Sequence, residues 1–197
     1  MTSAALSRLG TVVDDGLQRA SQGLTEMAGN PIEVVAARLV QLPIEVAVDL
    51  VGGPELIMAG VYMGIKGDVE GHMLLMLPHE DACRLAAMLL NQPLDRTRQL
   101  CELARSALAE AANLVGSFFL AALADATALR LLPTPPVVVL DMSGAILDTL
   151  LADLGMESRE VLAIDAVFMQ SMKQVSASFL VLPKQHCLDK ILRSLPK

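Results

Sequence analysis

Two segments of this chain carry the same pattern of apolar, polar and proline residues, and this repeat constrains the fold more than any other feature. Residues 60–90 align with residues 165–195 without a gap, at an offset of 105 positions that places Pro78 on Pro183. Each copy is typical of two apolar strands joined by a polar turn, followed by a proline and a helix. The chain is therefore expected to use one supersecondary unit twice.

Further elements are predicted upstream of each strand pair. An additional strand is predicted at Ile44–Leu50 in the first copy and at Val137–Leu140 in the second. A long helix is predicted near 13–41 and again near 97–129, so that each unit reads helix, strand, strand, strand, helix. The second copy also contains residues 143–160, which we interpret as an insertion that forms a short helix and a charged loop.

These elements predict an α+β fold with a pseudo-two-fold internal repeat, in which two long helices cover a continuous antiparallel sheet. The polar stretch 91–99 separates the two copies. Each half is too small to bury its apolar face alone, so we expect one domain made of two repeats, about 1–92 and 97–197. The Asn30-Pro31 pair predicts a break in the first long helix.

Composition excludes several classes of partner and location. The net charge is −7 and Lys and Arg do not cluster, so the sequence does not predict a nucleic-acid-binding protein. Hydrophobic residues make up 53%, but charged or proline residues interrupt every run that approaches the length of a membrane span. Asp14 and Asp15 lie where a signal peptide would be apolar. We therefore expect a cytoplasmic protein without a membrane-spanning segment.

A line of polar residues crosses the apolar helix predicted near 97–129. On an ideal helix the members of this polar stripe lie within an arc of roughly 60°: Ser106, Glu110, Asn113 and Ser117. Small residues flank the stripe and would let the backbone of another protein approach closely: Ala109, Ala112 and Gly116. From the pattern alone, such a stripe is typical of a solvated helix face.

Two sequence segments give the stripe a more specific meaning. The stretch SALAEAANLVGSFFLAAL (106–123), followed by PPVVVLDMSGAIL (135–147), resembles the second half of the CheC-type chemotaxis phosphatases. The family signature, Ser or Asp, three residues, Glu, two residues, Asn, falls on Ser106, Glu110 and Asn113. The resemblance implies a cytoplasmic phosphatase of the CheC, CheX and FliY group that removes the phosphoryl group from the aspartate of a CheY-like response regulator.

The resemblance also implies a role for each residue. Asn113 is expected to orient the attacking water, because a carboxamide both accepts and donates hydrogen bonds without adding negative charge near a phosphoryl group. Glu110 is expected to pair with the active-site Lys of the receiver domain, and Ser106 and Ser117 to tune docking. The Mg²⁺ ion would belong to the receiver, and the chain is expected to hold no metal or cofactor of its own.

The first copy departs from the family pattern. Where the family has a stretch like EIGNIGAGNAATAL, this chain has QGLTEMAGNPIEVV (22–35). Aligning the shared Ala28-Gly29-Asn30 places Gln22 at the Glu position and Thr25 at the Asn position. The first copy is therefore interpreted as a degenerate site, and we expect one working site where two-site members of the family have two.

One alternative function stays open at this point. The chain could be a non-catalytic module that binds a receiver or a CheD-like deamidase, as in flagellar-switch proteins that share this fold. Binding alone would tolerate the loss of the Asn113 carboxamide far better than hydrolysis would. A dimer of the CheX kind is not expected, because the internal repeat already supplies the two halves that such a dimer brings together; a monomer is expected instead.

Overall fold

The computed structural model describes residues 3–94, 99–154 and 160–195. The helices are α1 (Ser3–Ala28), α2 (Ile44–Leu50), α3 (His79–Leu89), α4 (Glu102–Thr127), α5 (Ser143–Leu154) and α6 (Gln185–Ser194). The strands are β1 (Glu33–Pro43), β2 (Ile57–Gly67), β3 (Gly71–Pro78), β4 (Leu131–Pro133), β5 (Val137–Met142), β6 (Glu160–Gln170) and β7 (Lys173–Pro183).

The strands form one antiparallel sheet in the order β1-β6-β7-β3-β2-β4, with β5 also paired to β2. The central strands β3 and β7 come from different copies of the repeat, and Gly71 lies opposite Pro183 while Met76 lies opposite Ser178. Strand β1 of the first copy pairs with β6 of the second, and β5 of the second copy pairs with β2 of the first. The order therefore reads alike from both edges, which confirms the predicted α+β fold with a pseudo-two-fold repeat.

Helices cover both faces of the sheet. One buried cluster joins α1, α3, α4 and α6 to one face, and a second buried cluster joins α2 and α5 to the other. The alternation of side chains along β3 shows this arrangement directly, because Met73, Leu75 and Leu77 belong to the first cluster, whereas Leu74 and Met76 belong to the second. A sheet that is covered on both faces needs the high apolar content of this chain.

Helix α1 ends where the Asn30-Pro31 pair predicts a break. Gly29 has a left-handed backbone with φ of 67°, and its N–H donates to the carbonyl of Thr25 at 2.9 Å. This is a common way for a helix to end, because glycine adopts positive φ without steric cost and proline cannot continue the helix. The helix predicted near 13–41 is therefore right in its first half and wrong beyond residue 28.

The strand predicted at Ile44–Leu50 is wrong, because this segment forms α2. Pro43 precedes the first turn of the helix, and Ile44, Ala47 and Val51 are buried at the three- and four-residue spacing of one helix face. The strand of the first copy is β1, just before it, which pairs along its length with β6. Each copy thus contains a helix directly before its pair of hairpin strands, which the sequence pattern did not predict.

This extra helix also changes the meaning of residues 143–160. Helix α5 follows β5 just as α2 follows β1, and both pack into the cluster on the same face of the sheet. The segment is therefore a longer version of an element that both copies have, rather than an insertion. The predicted short helix is confirmed, and the predicted charged loop at residues 155–159 lies outside the described residues.

Among the described residues, α4 is the one helix that is long and apolar enough to cross a membrane. Of its most apolar stretch, 56% is buried inside the molecule, because α4 packs on α1, α3 and the sheet. Its apolar composition is thus accounted for by the core. The division into repeats of about 1–92 and 97–197 within one domain stays a prediction.

Candidate active site

Helix α4 positions the polar stripe on its outward face. Its inward face is apolar along the whole length, and the buried residues include Ala104, Leu108, Ala111, Val115, Phe119 and Leu123. The helix ends at Ala128, which has φ of 57° and donates its N–H to the carbonyl of Ala124 at 2.8 Å. Because these inward contacts fix the rotation of α4, the polar residues between them point away from the core.

The structure brings the predicted residues together along this outward face. Ser106 and Glu110 are exposed, whereas Asn113 and Ser117 are half-buried. The Ser117 hydroxyl donates a long hydrogen bond of 3.5 Å to Oδ1 of Asn113, one helical turn away. This contact biases the orientation of the carboxamide and leaves its Nδ2 group and the second lone pair of Oδ1 for another partner.

Glu110 lies one turn before Asn113. Its carboxylate makes no hydrogen bond or ion pair with the residues in 3–94, 99–154 and 160–195, and it is exposed to solvent. An exposed carboxylate without an internal partner can accept a Lys from another protein with little cost in lost contacts. A flexible acidic side chain thus stands beside a carboxamide that is partly held in place.

The small residues beside the stripe do not all serve the purpose predicted for them. Ala109 is half-buried on the flank, but Ala112 and Gly116 are buried. A Cβ added at Gly116 would lie 2.8 Å from Cε of Met63 and 3.1 Å from Cε of Met73. Positions 112 and 116 therefore let α4 lie close to the sheet, and the prediction that they admit the backbone of a partner is wrong.

Helix α1 runs antiparallel beside α4. A Cβ added at Gly16 would lie 2.9 Å from the Cα of Phe119, so the two backbones are in close contact there. Arg19 of α1 pairs with Asp125 of α4 at 2.7 Å and with Asp15 at 2.7 Å. Hydrogen bonds from Arg19 to Asp125 and Asp15 raise the pKa of its guanidinium, and the pair ties α1 to the end of α4 that is distant from Glu110.

The two helices also identify the equivalent of the stripe in the first copy. The last residue of α4, Thr127, lies 99 positions after Ala28, the last residue of α1. Both are followed by a left-handed residue, Gly29 and Ala128. This correspondence pairs Glu110 with Thr11 and Asn113 with Asp14, both of which are exposed.

Gln22 and Thr25 lie elsewhere on α1, in its last two turns. Gln22 is exposed, whereas the half-buried Thr25 hydroxyl accepts from the N–H of Ile32 at 3.0 Å and donates to its carbonyl at 3.2 Å. The sequence register for the first copy rests on Ala28-Gly29-Asn30, which is the end of the helix and not its interior. That register therefore does not match the helix ends, and Thr25 joins α1 to the start of β1.

The polar stripe lies on the outward face of α4, apart from the cavities beside β5. Two cavities of about 670 and 710 Å³ open beside β5, and no residue of the stripe lines either one. Within the described part of the chain, no group of three or more His, Cys, Asp or Glu side chains could hold a metal ion. A carboxylate and a carboxamide on an exposed helix can complete a reacting centre that another macromolecule supplies.

Comparisons with known proteins agree on one family. The sequence profile of the CheC-like family matches residues 103–140, which contain most of α4 and the strand after it. A Bacillus subtilis (strain 168) protein named CheY-P phosphatase CheC is 32% identical over 168 residues, which cover 83% of this chain and 79% of that protein.

Two solved structures share the fold. Thermotoga maritima FliY superimposes with a TM-score of 0.79 at 14% identity, covering 98% of this chain and 96% of that chain. A chain of the CheX-CheY-BeF3-Mg²⁺ complex from Borrelia burgdorferi has a TM-score of 0.51 at 18% identity, covering 88% of this chain and 97% of that chain. Identities this low show the fold alone, whereas the Bacillus relative matches most of the sequence. The chain belongs to the CheC-like family.

Proposed function

We propose that this protein is a phosphatase that accelerates hydrolysis of the phospho-aspartate of a CheY-like receiver domain in chemotaxis signalling. The observation that carries the proposal is the exposed Glu110 carboxylate one helical turn from the Asn113 carboxamide, on the outward face of α4. Support comes from the 32% identical relative named CheY-P phosphatase CheC. The fold is also shared with a chain of a complex that contains CheX and CheY.

The proposed chemistry divides between the two proteins. The receiver supplies the phospho-aspartate, a Lys and the Mg²⁺ ion that neutralises charge on the phosphoryl oxygens. What remains is to hold a water in line with the phosphorus, which converts an improbable encounter into an oriented attack. Asn113 accepts a hydrogen bond from this water through Oδ1 or donates to it through Nδ2, and it adds no negative charge.

Glu110 acts as the electrostatic contact in this proposal. Its carboxylate pairs with the receiver Lys and so sets the position of α4 against the receiver. Ser106 is exposed one turn earlier and Ser117 is half-buried one turn after Asn113, with its hydroxyl 3.5 Å from Oδ1 of that residue, and both contribute to docking. No metal or cofactor of this chain takes part.

The first copy of the repeat carries no second working site in this proposal. Thr11 stands at the position of Glu110 and has no charge to offer a Lys, and Asp14 stands at the position of Asn113. A carboxylate at that position would repel the phosphoryl oxygens. Cytoplasmic location, a monomeric state and binding of a CheD-like deamidase stay predictions from the sequence.

Turnover separates a phosphatase from a receiver-binding adaptor. A phosphorylated CheY-like receiver with Mg²⁺ is mixed in large molar excess over this protein, and phosphate release is followed with time. A phosphatase releases many phosphates per chain, whereas an adaptor leaves the decay of the receiver unchanged, and that result would reject the proposed activity. Glu110→Gln should slow turnover, and the matched control Glu33→Gln, an exposed carboxylate on β1, should not.

A further inference from the structure

Leu103 is an apolar side chain on the same face of α4 as the polar stripe. It precedes Ser106 by three residues and Glu110 by seven, which places it within about 20° of Glu110 on an ideal helix. Its side chain is 55% exposed. The line formed by the stripe therefore continues toward the start of α4 with a large apolar residue.

The rest of the described chain gives Leu103 no packing role. The other large apolar residues of α4 are buried or packed against the core, and Leu103 belongs to neither of the two buried clusters. A single exposed leucine is ordinary on a protein surface, so exposure by itself carries no meaning. The position of Leu103, in line with the polar stripe near the start of α4, is the feature that needs an explanation.

The internal repeat provides a comparison within the same molecule. The position in α1 that corresponds to Leu103, 99 residues earlier, is Ala4, which is also exposed. Helix α1 also has Thr11 and Asp14 in place of Glu110 and Asn113. A large apolar residue thus stands at this position in α4, which carries Glu110 and Asn113. It is absent from α1, which carries neither.

The size of a protein interface decides whether a partner on the stripe would reach Leu103. Seven residues of helix span about 10.5 Å, so Leu103 lies about 10 Å from Glu110 along the axis of α4. A standard interface covers about 800 Å² on each partner, a patch roughly 30 Å across. A receiver domain seated over Glu110 and Asn113 therefore covers Leu103 as well.

We propose that Leu103 is the apolar anchor that seats the phosphorylated receiver domain on α4, an inference that rests on the proposed function. The receiver must then present an apolar surface about 10–15 Å from its phospho-aspartate. The anchor is remote from the reacting atoms and contributes alike to the bound substrate and the transition state. It therefore lowers the KM of the receiver and leaves kcat unchanged.

Binding and turnover are measured together for three proteins: the wild type, Leu103→Ala and Leu132→Ala. Leu132 on β4 is a matched control, because its side chain is 57% exposed but lies off α4. Alanine favours helix, so Leu103→Ala is expected to keep the fold, which thermal melting checks. The dissociation constant is measured with a receiver that carries beryllium fluoride, and the KM with the phosphorylated receiver.

Leu103→Ala is expected to raise both the dissociation constant and the KM about tenfold with kcat unchanged, while Leu132→Ala leaves all three as in the wild type. Binding that is weakened in Leu103→Ala while the wild type shows no turnover supports the anchor and rejects the phosphatase. Unchanged binding in Leu103→Ala, an equal loss in Leu132→Ala or no receiver binding by the wild type overturns the anchor. A change of oligomeric state in Leu103→Ala without weaker receiver binding also overturns it.

Discussion

Asn113 and Glu110 differ in how firmly the protein holds them, and the difference suits the task proposed for each. Asn113 is half-buried, and its Oδ1 accepts a hydrogen bond from the hydroxyl of Ser117. A group that orients a water for in-line attack needs a defined position. Glu110 is exposed, and its freedom to turn toward the Lys of a receiver is useful for docking, where a range of side-chain positions gives the same ion pair.

Thr25 is expected to matter for stability and not for activity. Its half-buried hydroxyl bonds to both the N–H and the carbonyl of Ile32, which fixes the start of β1 against the end of α1. Thr25→Ala should therefore lower the free energy of unfolding by about 1–2 kcal/mol, measured by denaturant melting. Turnover of the phosphorylated receiver should stay at the wild-type rate.

Two control variants make the interpretation of Thr25 testable. Thr25→Ser keeps the hydroxyl and should recover most of the lost stability, whereas Gln22→Ala, at an exposed position, should change neither stability nor turnover. A variant of Thr25 that melts like the wild type but turns over slowly would return this residue to a functional site on α1.

The sequence could predict which residues of the site share one face of α4, because helical geometry alone determines this. The spacing of Ser106, Glu110, Asn113 and Ser117 is enough to place all four on one face, whatever the helix packs against. The neighbours of Gly116 could not be predicted in this way, because they belong to β2 and β3, which are distant in the sequence. The correspondence of Thr11 and Asp14 with Glu110 and Asn113 required the observed C-terminal ends of both helices.

At the scale of elements, the contact between α1 and α4 decides where the functional helix lies. Gly16 allows the two backbones to touch near Phe119, and the Arg19–Asp125 pair fixes the helices close to the same point. The part of α4 that follows Asn113 lies close to the sheet at Gly116, where an added Cβ would meet Met63 and Met73. The outward direction of the polar stripe is thus set by the contacts of α4 with α1 and with the sheet.

Gly16→Ala is expected to destabilise the protein because the new methyl group meets backbone atoms, which cannot turn aside as a side chain can. It would lie 2.9 Å from Cα of Phe119 and 3.3 Å from the carbonyl oxygen of Phe118. We expect a loss of about 1–3 kcal/mol in the free energy of unfolding, measured by urea titration.

The matched control is Gly10→Ala in the same helix. A Cβ at residue 10 meets nothing within 4 Å, so alanine there should stabilise the protein by up to about 1 kcal/mol through its higher helix propensity. If the alanine variants at positions 10 and 16 were equally stable, the close packing of α1 on α4 would be refuted.

The sequence could not predict those elements whose secondary structure depends on contacts with elements that are distant along the chain. In Ile44–Leu50 large apolar residues alternate with the charged or small residues Glu45, Ala47 and Asp49, which is a pattern typical of a strand. The segment nevertheless forms a helix that packs against α5 and the sheet. The segment before it contains Ala36 and Arg38, which favour a helix, yet it forms β1 because it pairs with β6. The strand pairs at 60–90 and 165–195 could be predicted, because each is a local hairpin followed by a helix.

At the scale of the whole molecule, the exchange of strands between the two copies places both long helices on one face of a single sheet. Helices α1 and α4 therefore present equivalent outward faces, but only α4 combines a carboxylate, a carboxamide and an exposed leucine there. The fold is shared with Thermotoga maritima FliY at 14% identity, so it does not by itself decide the activity. The residues on the outward face of α4 carry the functional proposal.

The role of Asn113 in orienting water is tested most directly by the kcat of the wild type and of Asn113→Ala, measured with saturating phosphorylated receiver and Mg²⁺. The dissociation constant for the receiver is measured alongside. We expect kcat to fall at least about a hundredfold in Asn113→Ala, because the attacking water loses its position, while the dissociation constant stays as in the wild type. An unchanged kcat, or an equal loss of binding and turnover, would contradict the role of Asn113 in orienting water.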